Sequence, residues 1–486
     1  MNYDVAIIGC GVTGAAVAYE LSKYNLKTVV LEAENDVACG TTKANSGIMH
    51  AGYDPKPGTL MARLNRIGNK EAHEICKKLD VKVSWCGSFV CAFDENDDKT
   101  VRALYERGLE NQIPDLEILN SNAVHSLEKN LSENVTSALY AKTAGVVSPW
   151  ELALAFAEVA VLNQVELKRN FRVNKITKID KAECNPQYES AYCITSEKGE
   201  SVNASFVINA AGVYADDIHS LISKPRYEIK PSRGQYYLLD HEARDLVSHV
   251  IFQCPSNGTK GILVSPTCHG NIIVGPDAVA TEKDDLAVTR EGLQQVAELA
   301  KKSVPSINLG LSIRNFSGVR ANSTVDDFII EEVPEAKGFI DFAGIKSPGL
   351  SAACAMGAEA LSLLEKAGLH IESKKTFIDE RHHIRFAELT PSEKAELTKS
   401  NPSYGRVICR CETITEGEII AAFNSPIKPV SVDGIKRRTN AGMGRCQGGF
   451  CSPRVIDLLI KSGIPPQEIT QDKTGSKILL GSMEEL

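Results

Sequence analysis

The sequence predicts an α/β fold of Rossmann-like type, joined to an α+β domain built on an antiparallel sheet, with a small, mainly helical domain at the C-terminus. Three observations predict it. The chain opens on an apolar strand, a glycine-rich turn and a helix, Asp4-Val-Ala-Ile-Ile-Gly9-Cys10-Gly11-Val12-Thr13-Gly14. Its middle, residues 229–280, is a run of short strands between turn residues. Near its end four cysteines stand in two tight pairs, Cys409-Arg-Cys411 and Cys446-Gln-Gly-Gly-Phe-Cys451.

Each element follows from local pattern. Residues 4–8 read as a buried strand, and Gly14 to Leu26 as an apolar-periodic helix through Ala15, Val17, Ala18 and Leu21. Thr28 to Leu31 is a second strand, so the opening is a βαβ unit. The apolar run Phe206-Val-Ile-Asn-Ala-Ala-Gly212 has the same parallel-sheet character. Tyr236–Leu239, Gly261–Val264 and Asn271–Val274 are the short strands of a mostly antiparallel sheet. Gly344-Ile-Lys-Ser-Pro-Gly-Leu-Ser351 leads into a small-residue helix, Ala352 to Leu364. Residues from about 375 to 405 are polar and read as a connector holding one short helix, with Thr390 as cap, Pro391 first and Glu393 completing a capping box. From Arg406 a third unit begins. Thr415 and Glu418 form another capping box, and Ser452-Pro453 starts a helix that Gly463 stops.

Composition narrows the class. The chain has 486 residues, 43% hydrophobic and 24% charged, enough for two or three domains. No apolar run approaches the length of a membrane span, and no leader precedes the first strand, so the expectation is a cytoplasmic protein with at most peripheral membrane association through a partner. A net charge of −8 argues against nucleic-acid binding, which needs a basic footprint. Of the 14 cysteines, the ten outside the two pairs are scattered without a disulfide framework, and are expected to be reduced.

The glycines of the opening turn have separate tasks. Gly9 makes the tight turn, Gly11 lets the backbone approach a pyrophosphate, and Gly14 lets helix and strand pack closely. The helix start offers free N–H groups and a positive dipole end to the phosphates. Glu32 follows Gly14 at the distance where a carboxylate grips a ribose 2′-hydroxyl, and it would repel a 2′-phosphate. The fingerprint does not separate FAD from NAD. The cysteines bear on that choice. Thiolates in fixed loops bind a soft metal centre. A structural zinc site is the alternative, but zinc pairs usually have two to four residues between them, and Cys409 and Cys411 have one. An iron–sulfur cluster takes electrons singly, whereas a nicotinamide gives a hydride. A flavin joins the two chemistries, so FAD is expected.

The segment from Cys409-Arg-Cys411 through Lys436-Arg-Arg-Thr-Asn-Ala-Gly-Met-Gly-Arg445 to Cys446-Gln-Gly-Gly-Phe-Cys451 resembles the bacterioferritin-associated-ferredoxin-type [2Fe–2S] domain. That resemblance implies Cys409, Cys411, Cys446 and Cys451 as cluster ligands, with Lys436, Arg437, Arg438 and Arg445 placed to offset its negative charge. Asn209-Ala-Ala-Gly212, Lys346-Ser-Pro-Gly-Leu-Ser351 and Asn45-Ser-Gly-Ile-Met-His50-Ala-Gly resemble the D-amino-acid-oxidase-like flavoprotein family over about residues 1–370. The last motif is similar to the catalytic-histidine segment of glycerol-3-phosphate oxidases and dehydrogenases and of L-2-hydroxyglutarate dehydrogenases. The whole chain resembles the catalytic large subunits of the anaerobic-type glycerol-3-phosphate dehydrogenase family.

What the resemblance implies is specific. Residues 1–80, 141–215 and 320–375 form a discontinuous FAD-binding domain, 81–140 and 216–319 a substrate domain, 376–405 the connector and 406–486 the [2Fe–2S] domain. The cofactor contacts fall on Thr41, Thr42, Asn45, Ser46, Gly47, Val173, Ala211, Gly212, Gly349, Leu350 and Ser351, beside Gly9, Gly11, Val12, Thr13, Gly14 and Glu32. His50 is the base that takes the hydroxyl proton as the hydride leaves for flavin N5. Lys260 and Arg320 match positions that anchor a small anion; Ser347 and Ser351 either donate hydrogen bonds to substrate or cap the helix that follows, and Arg233 is a further candidate for a substrate contact. The expected activity is oxidation of sn-glycerol 3-phosphate to dihydroxyacetone phosphate, electrons passing to the cluster and on to an acceptor protein subunit. The alternatives are a 2-hydroxyacid dehydrogenase acting on L-2-hydroxyglutarate, an amino-acid dehydrogenase, and a non-catalytic electron-transfer subunit.

Overall fold

Strand Asn2–Ile8 lies at the middle of the first sheet, parallel to Thr28–Leu31 on one side and to Ser201–Asn209 on the other. The computed structural model describes residues 1–255 and 261–481. The helix after the first strand runs Val12–Leu21, two residues earlier at its start than the periodicity predicts and five shorter at its end. It starts early because Gly11 serves as its N-cap. It stops at Leu21 because the chain is captured there: the Asn25 N–H donates to Glu372 O (2.7 Å) and the Lys374 N–H to Lys23 O (2.9 Å). A Cβ at Gly14 would stand 2.0 Å from Gly9 O, so strand and helix pack at a distance only glycine allows.

The sheet has eight strands. Its other members include the antiparallel pair Val173–Lys178 and Tyr192–Ser196, and strand Phe339–Ala343, parallel to the end of Ser201–Asn209. On one face helix Val12–Leu21 is packed between Pro149–Leu162 and Gly349–Lys366. These helices are apolar almost all round, as helices covered on several sides must be.

A second sheet of nine strands carries the middle of the chain. Ser232–Leu239 pairs antiparallel with Ile272–Gly275 and, along its other edge, with Ser312–Arg320. The expected antiparallel character holds with one exception. Val250–Gln253 runs parallel to Ser88–Ala92, which ties residues far apart in sequence into one sheet.

The segment after residue 375 is more than a tether. Arg381 is buried and donates to Glu158 (2.6 Å), and Arg385 reaches both Asp80 and Glu151 (2.5 Å each). Helix Pro391–Ser400 carries the predicted Thr390–Glu393 capping box. The third unit has its own apolar core, built from the hairpin Val407–Cys409/Ile414–Thr415 and helices Glu416–Phe423, Val432–Thr439 and Ser452–Lys461. Thr415 and Glu418 form the second predicted capping box.

The basic run expected beside the cysteines does different work. Arg437 and Arg438 both donate to the fully buried Asp36 (3.0 and 2.8 Å), which belongs to the loop after strand Thr28–Leu31. Arg437 also reaches Asp472 (2.7 Å), itself paired with Lys43. Arg445 binds Asp240 (2.8 Å) and Glu242 on the second domain. Lys436 stands 4.0 Å from Asp433. The charges of the three arginines are matched by carboxylates outside the cysteine loops, and they fasten the third unit to both of the others.

Candidate active site and cysteine centre

A cavity of about 1480 Å³ lies between the two large sheets. Its first arm begins at the N-terminus of helix Val12–Leu21. Gly9, Gly11, Val12 and Thr13 line it, while Gly14 lies behind the wall in the role its packing requires. Gly9 has φ +99°, the left-handed region the tight turn demands. Glu32 lines the same arm. Its two carboxylate oxygens accept the Cys10 N–H (2.7 Å) and the Glu34 N–H (2.9 Å), leaving lone pairs for a ribose hydroxyl. Burial pushes its carboxyl up to about 7, against the pull of those two N–H groups. Val173, Ala211 and Gly212 complete this arm, and a Cβ at Gly212 would meet nothing within 4 Å. The exposed helix N–H groups, the glycine turn and the placed carboxylate fit the adenosine and pyrophosphate of FAD.

The second arm is built on residues 41–50. Thr41 donates to Val319 O (2.7 Å), and the Val12 N–H donates to Thr42 Oγ1 (3.0 Å). Asn45 is the brace of the loop: its amide donates to Thr42 O (2.8 Å) and its oxygen accepts the Gly47 N–H (2.8 Å). Thr41, Thr42, Asn45 and Ser46 line the cavity. Gly47 does not; it supplies a turn with φ +67°, where a Cβ would stand 2.7 Å from Val147 O.

His50 lies at the end of this loop with its backbone fixed on both sides. Its N–H donates to Ser351 Oγ (2.7 Å), and its carbonyl accepts from Asn65 (2.8 Å) and Asn69 (3.2 Å). Its ring stacks on Phe252 with centroids 5.7 Å apart, and its Nε2 is 3.3 Å from Ser347 Oγ. Ser347, Gly349 and Leu350 line the cavity from the start of helix Gly349–Lys366.

The anion contacts divide. Arg320 lines the cavity at the end of its strand. Its Nη2 donates to Asp277 O (3.1 Å), and its Nη1 has no hydrogen-bond partner among the described residues. A Cβ at Gly234 would sit 2.2 Å from Arg320 Nη2, so glycine there gives the guanidinium its passage. Lys260 lies outside the described residues. Two expectations are corrected. Arg233 does not line the cavity: it is buried and donates to Asp285 (2.7 Å), because alternation along the strand turns it away from the face that carries Ser232 and Gly234. Ser351 is fully buried and also absent from the wall. It accepts the His50 N–H and donates to Ile48 O (3.3 Å), and so holds the histidine loop.

Asn65 and Asn69 were not foreseen from sequence. Their signal was available: two buried asparagines one turn apart on the apolar face of helix Leu60–Lys78. Tyr236 and Phe252 are also in the wall, Tyr236 stacked on Phe316 at 4.8 Å.

The four cysteines meet in the third unit. Cys411 and Cys446 have their sulfurs 3.7 Å apart, and the Cys451 thiol donates to Cys409. That bond, with backbone N–H groups of Gly442, Glu412 and Cys411, lowers the Cys409 thiol while it raises its partner Cys451, and Cys411 is raised beside Cys446 in the same way, so each pair favours one thiolate. Backbone N–H groups of Phe450 and Gly448 lower Cys446 in the same way. Deprotonated sulfur is what iron needs, and N–H groups aimed at it are the usual surroundings of an iron–sulfur centre. Among the described residues no three His, Cys, Asp or Glu side chains close on a single point as a one-ion cage would. Two thiol pairs lined by N–H groups fit a two-iron cluster. No disulfide forms among the 14 cysteines.

Comparison with known proteins gives the following. The family described as FAD dependent oxidoreductase matches residues 4–363, and the BFD-like [2Fe–2S] binding domain matches residues 407–461. The chain is 48% identical over 482 residues to a glycerol 3-phosphate dehydrogenase of Caloramator mitchellensis, covering 99% of this chain and 98% of that one. It is 32% identical over 367 residues to a glycerol 3-phosphate oxidase of Mycoplasma genitalium, covering 74% of this chain and 94% of the relative. Among solved structures, the dithionite-reduced L-α-glycerophosphate oxidase of Mycoplasma pneumoniae with FAD bound superposes with a TM-score of 0.73 at 30% identity, covering 78% of this chain and 98% of that chain.

Proposed function

Since this chain belongs to the FAD-dependent oxidoreductase family and carries a BFD-like [2Fe–2S] domain behind it, we propose that it oxidises sn-glycerol 3-phosphate to dihydroxyacetone phosphate and passes the electrons through the cysteine centre to an acceptor protein. The observation that carries this is His50 and Arg320 in one cavity, in a chain 48% identical along its length to a glycerol 3-phosphate dehydrogenase.

The chemistry divides between the groups bound and the side chains. FAD, when bound, accepts a hydride and releases single electrons, and a [2Fe–2S] cluster held by Cys409, Cys411, Cys446 and Cys451 takes electrons one at a time. His50 takes the proton of the substrate hydroxyl at Nε2, within reach of Ser347 Oγ, which orients the ring. Phe252 covers the ring on one face and limits water there. Arg320 holds the phosphate, since its guanidinium lines the cavity and matches an oxyanion. Lys260 adds a second charge. No helix among the described residues is long and apolar enough to cross a membrane, and we read the enzyme as cytoplasmic, meeting a membrane only through its acceptor.

The test is anaerobic stopped-flow bleaching of the flavin with glycerol 3-phosphate, L-2-hydroxyglutarate and free glycerol. Glycerol 3-phosphate should bleach it fast and glycerol poorly. Fast bleaching by L-2-hydroxyglutarate with none by glycerol 3-phosphate would make Arg320 a carboxylate clamp and the enzyme a 2-hydroxyacid dehydrogenase.

A further inference from the structure

The cysteine centre is open on one side. Cys409 and Cys451 are buried, Cys446 is half-buried, and Cys411 is exposed. An electron leaving the centre has its shortest way to solvent at Cys411 and Cys446. On the loop between Cys446 and Cys451 stands Phe450, 85% exposed. Its own backbone N–H points at the Cys446 sulfur, so the residue's backbone stands next to a ligand. Gly448 and Gly449 before it carry no side chain, which leaves the aromatic ring projecting from the loop. A single exposed ring is ordinary on a protein surface; what sets Phe450 apart is its place on the loop between two cysteines, with exposed arginines near it in the sequence.

The exposed charges nearest the cysteines in the sequence are mostly positive. Arg410, between the first two cysteines, is exposed, and Arg454 is exposed in the first turn of the helix that begins at Ser452. Neither forms an ion pair among the described residues, unlike Arg445, which is held by Asp240 and Glu242. Arg314, also exposed, leans onto Gln447 of the same loop (3.4 Å). Of the carboxylates, Glu412 turns inward toward His241 (3.4 Å), and Asp457 lies one turn further along the helix from Arg454. A chain of net charge −8 therefore carries exposed arginines without ion-pair partners among the described residues directly between and just after its cluster cysteines.

We propose that the exposed side of the cysteine loops, carrying Phe450, Arg410 and Arg454, is the docking surface for an acidic one-electron carrier protein; the inference rests on the reading of the cysteine centre as the electron outlet. Steering by opposite charge raises the encounter rate, and the Phe450 ring excludes water at the shortest transfer path. Oxidation of one secondary alcohol to a ketone releases two electrons and two protons. Two carrier molecules are each reduced by one electron, and the protons go to solvent.

The experiment uses the full chain loaded with both cofactors, under anaerobic conditions, with glycerol 3-phosphate in excess. Two haem proteins serve as probes: cytochrome b5, which is acidic, and cytochrome c, which is basic. Cytochrome b5 should be reduced faster at low salt, with a rate that falls about tenfold between low and 0.3 M salt. Phe450→Ser and Arg410→Glu should each slow that reduction about tenfold, while flavin bleaching by substrate and reduction of a small dye acceptor stay unchanged. Arg454→Glu, which lies farther from the ligands, keeps the test valid if either of the first two loses iron. The proposal is overturned if cytochrome b5 is not reduced, if cytochrome c is preferred, or if the three variants reduce cytochrome b5 at the wild-type rate. It is equally overturned if Phe450→Ser abolishes binding to phosphatidylglycerol vesicles while reduction of cytochrome b5 persists, since the face then belongs to a membrane. If the substrate fails to bleach the flavin at all, the chain can be reduced with dithionite and freed of the excess by gel filtration before it meets the cytochrome, which separates a wrong outlet face from a wrong substrate.

Discussion

His50 owes its position to its backbone. Ser351 fixes its N–H, and Asn65 and Asn69 fix its carbonyl, so the ring is aimed by bonds that never touch substrate. His50→Asn should keep FAD bound and slow flavin reduction by substrate about 10²–10⁴-fold, the range for loss of a general base, as read by stopped-flow bleaching. Ser351→Ala leaves the buried His50 N–H without a partner, which costs about 1–3 kcal/mol. A thermal melt should show that loss, and bleaching should slow because the loop drifts. Arg320→Ala should raise KM for glycerol 3-phosphate strongly, about 2–5 kcal/mol in kcat/KM, since it removes one member of a charged pair formed with substrate. His50 and Arg320 both line the cavity, and His50 stands in a contiguous motif. Ser351 was misread because a serine at a helix start reads equally as a hydrogen-bond donor to ligand or as a buried brace. Arg233 was misread although strand alternation places it opposite Ser232 and Gly234.

At the level of elements, the third unit is held by buried charge. Asp36 is fully enclosed and faces Arg437 and Arg438. Burial raises its carboxyl, but the two guanidinium groups outweigh that and hold it well below the usual carboxylate range. A lowered folded-state value means that the carboxylate stabilises docking above its unfolded value, about 4, and that this stability is lost as pH falls through the folded value. His269 adds a second acid-sensitive contact. It stacks on Trp150 at 5.7 Å and lies 3.3 Å from Asn440 of the third unit. Burial, with help from Lys82, Arg385 and His241, pushes it down to about 3. The unfolded chain therefore binds a proton below about 6.5 that the folded one refuses until about 3, and stability falls across that window as pH drops. Asp36→Asn should cost about 3–5 kcal/mol, the range for breaking a buried ion pair. Limited proteolysis should then cut the segment 376–405 faster in the variant, and acid should do the same to the wild type. The capping boxes at Thr390 and Thr415 were legible because they are local. The partners of Arg437 and Arg438 were not, because Asp36 is some four hundred residues away and the arginines stand next to cysteines that offered a nearer explanation.

For the whole molecule, one cavity joins the dinucleotide arm to the histidine arm, and a separately folded unit with four thiols is fastened beside it. The βαβ opening and the cysteine unit were legible from contiguous motifs. The second sheet was legible only in part: its short apolar strands stand between turn residues, but no local signal pairs Ser88–Ala92 with Val250–Gln253. Such long-range pairing is set by which apolar faces must cover one another, not by the pattern of either segment. The central claim is that a two-electron oxidation at the cavity is coupled to a one-electron centre at the cysteines. The most direct measurement is an anaerobic titration of the purified holoenzyme with glycerol 3-phosphate, followed by absorbance and by electron paramagnetic resonance, with iron and sulfide assayed on the same sample. The account predicts about two irons and two sulfides per chain, bleaching of the flavin, and a [2Fe–2S] signal that grows as substrate is added. Stoichiometric zinc without iron, or a bleached flavin beside a cluster that stays oxidised, would contradict it.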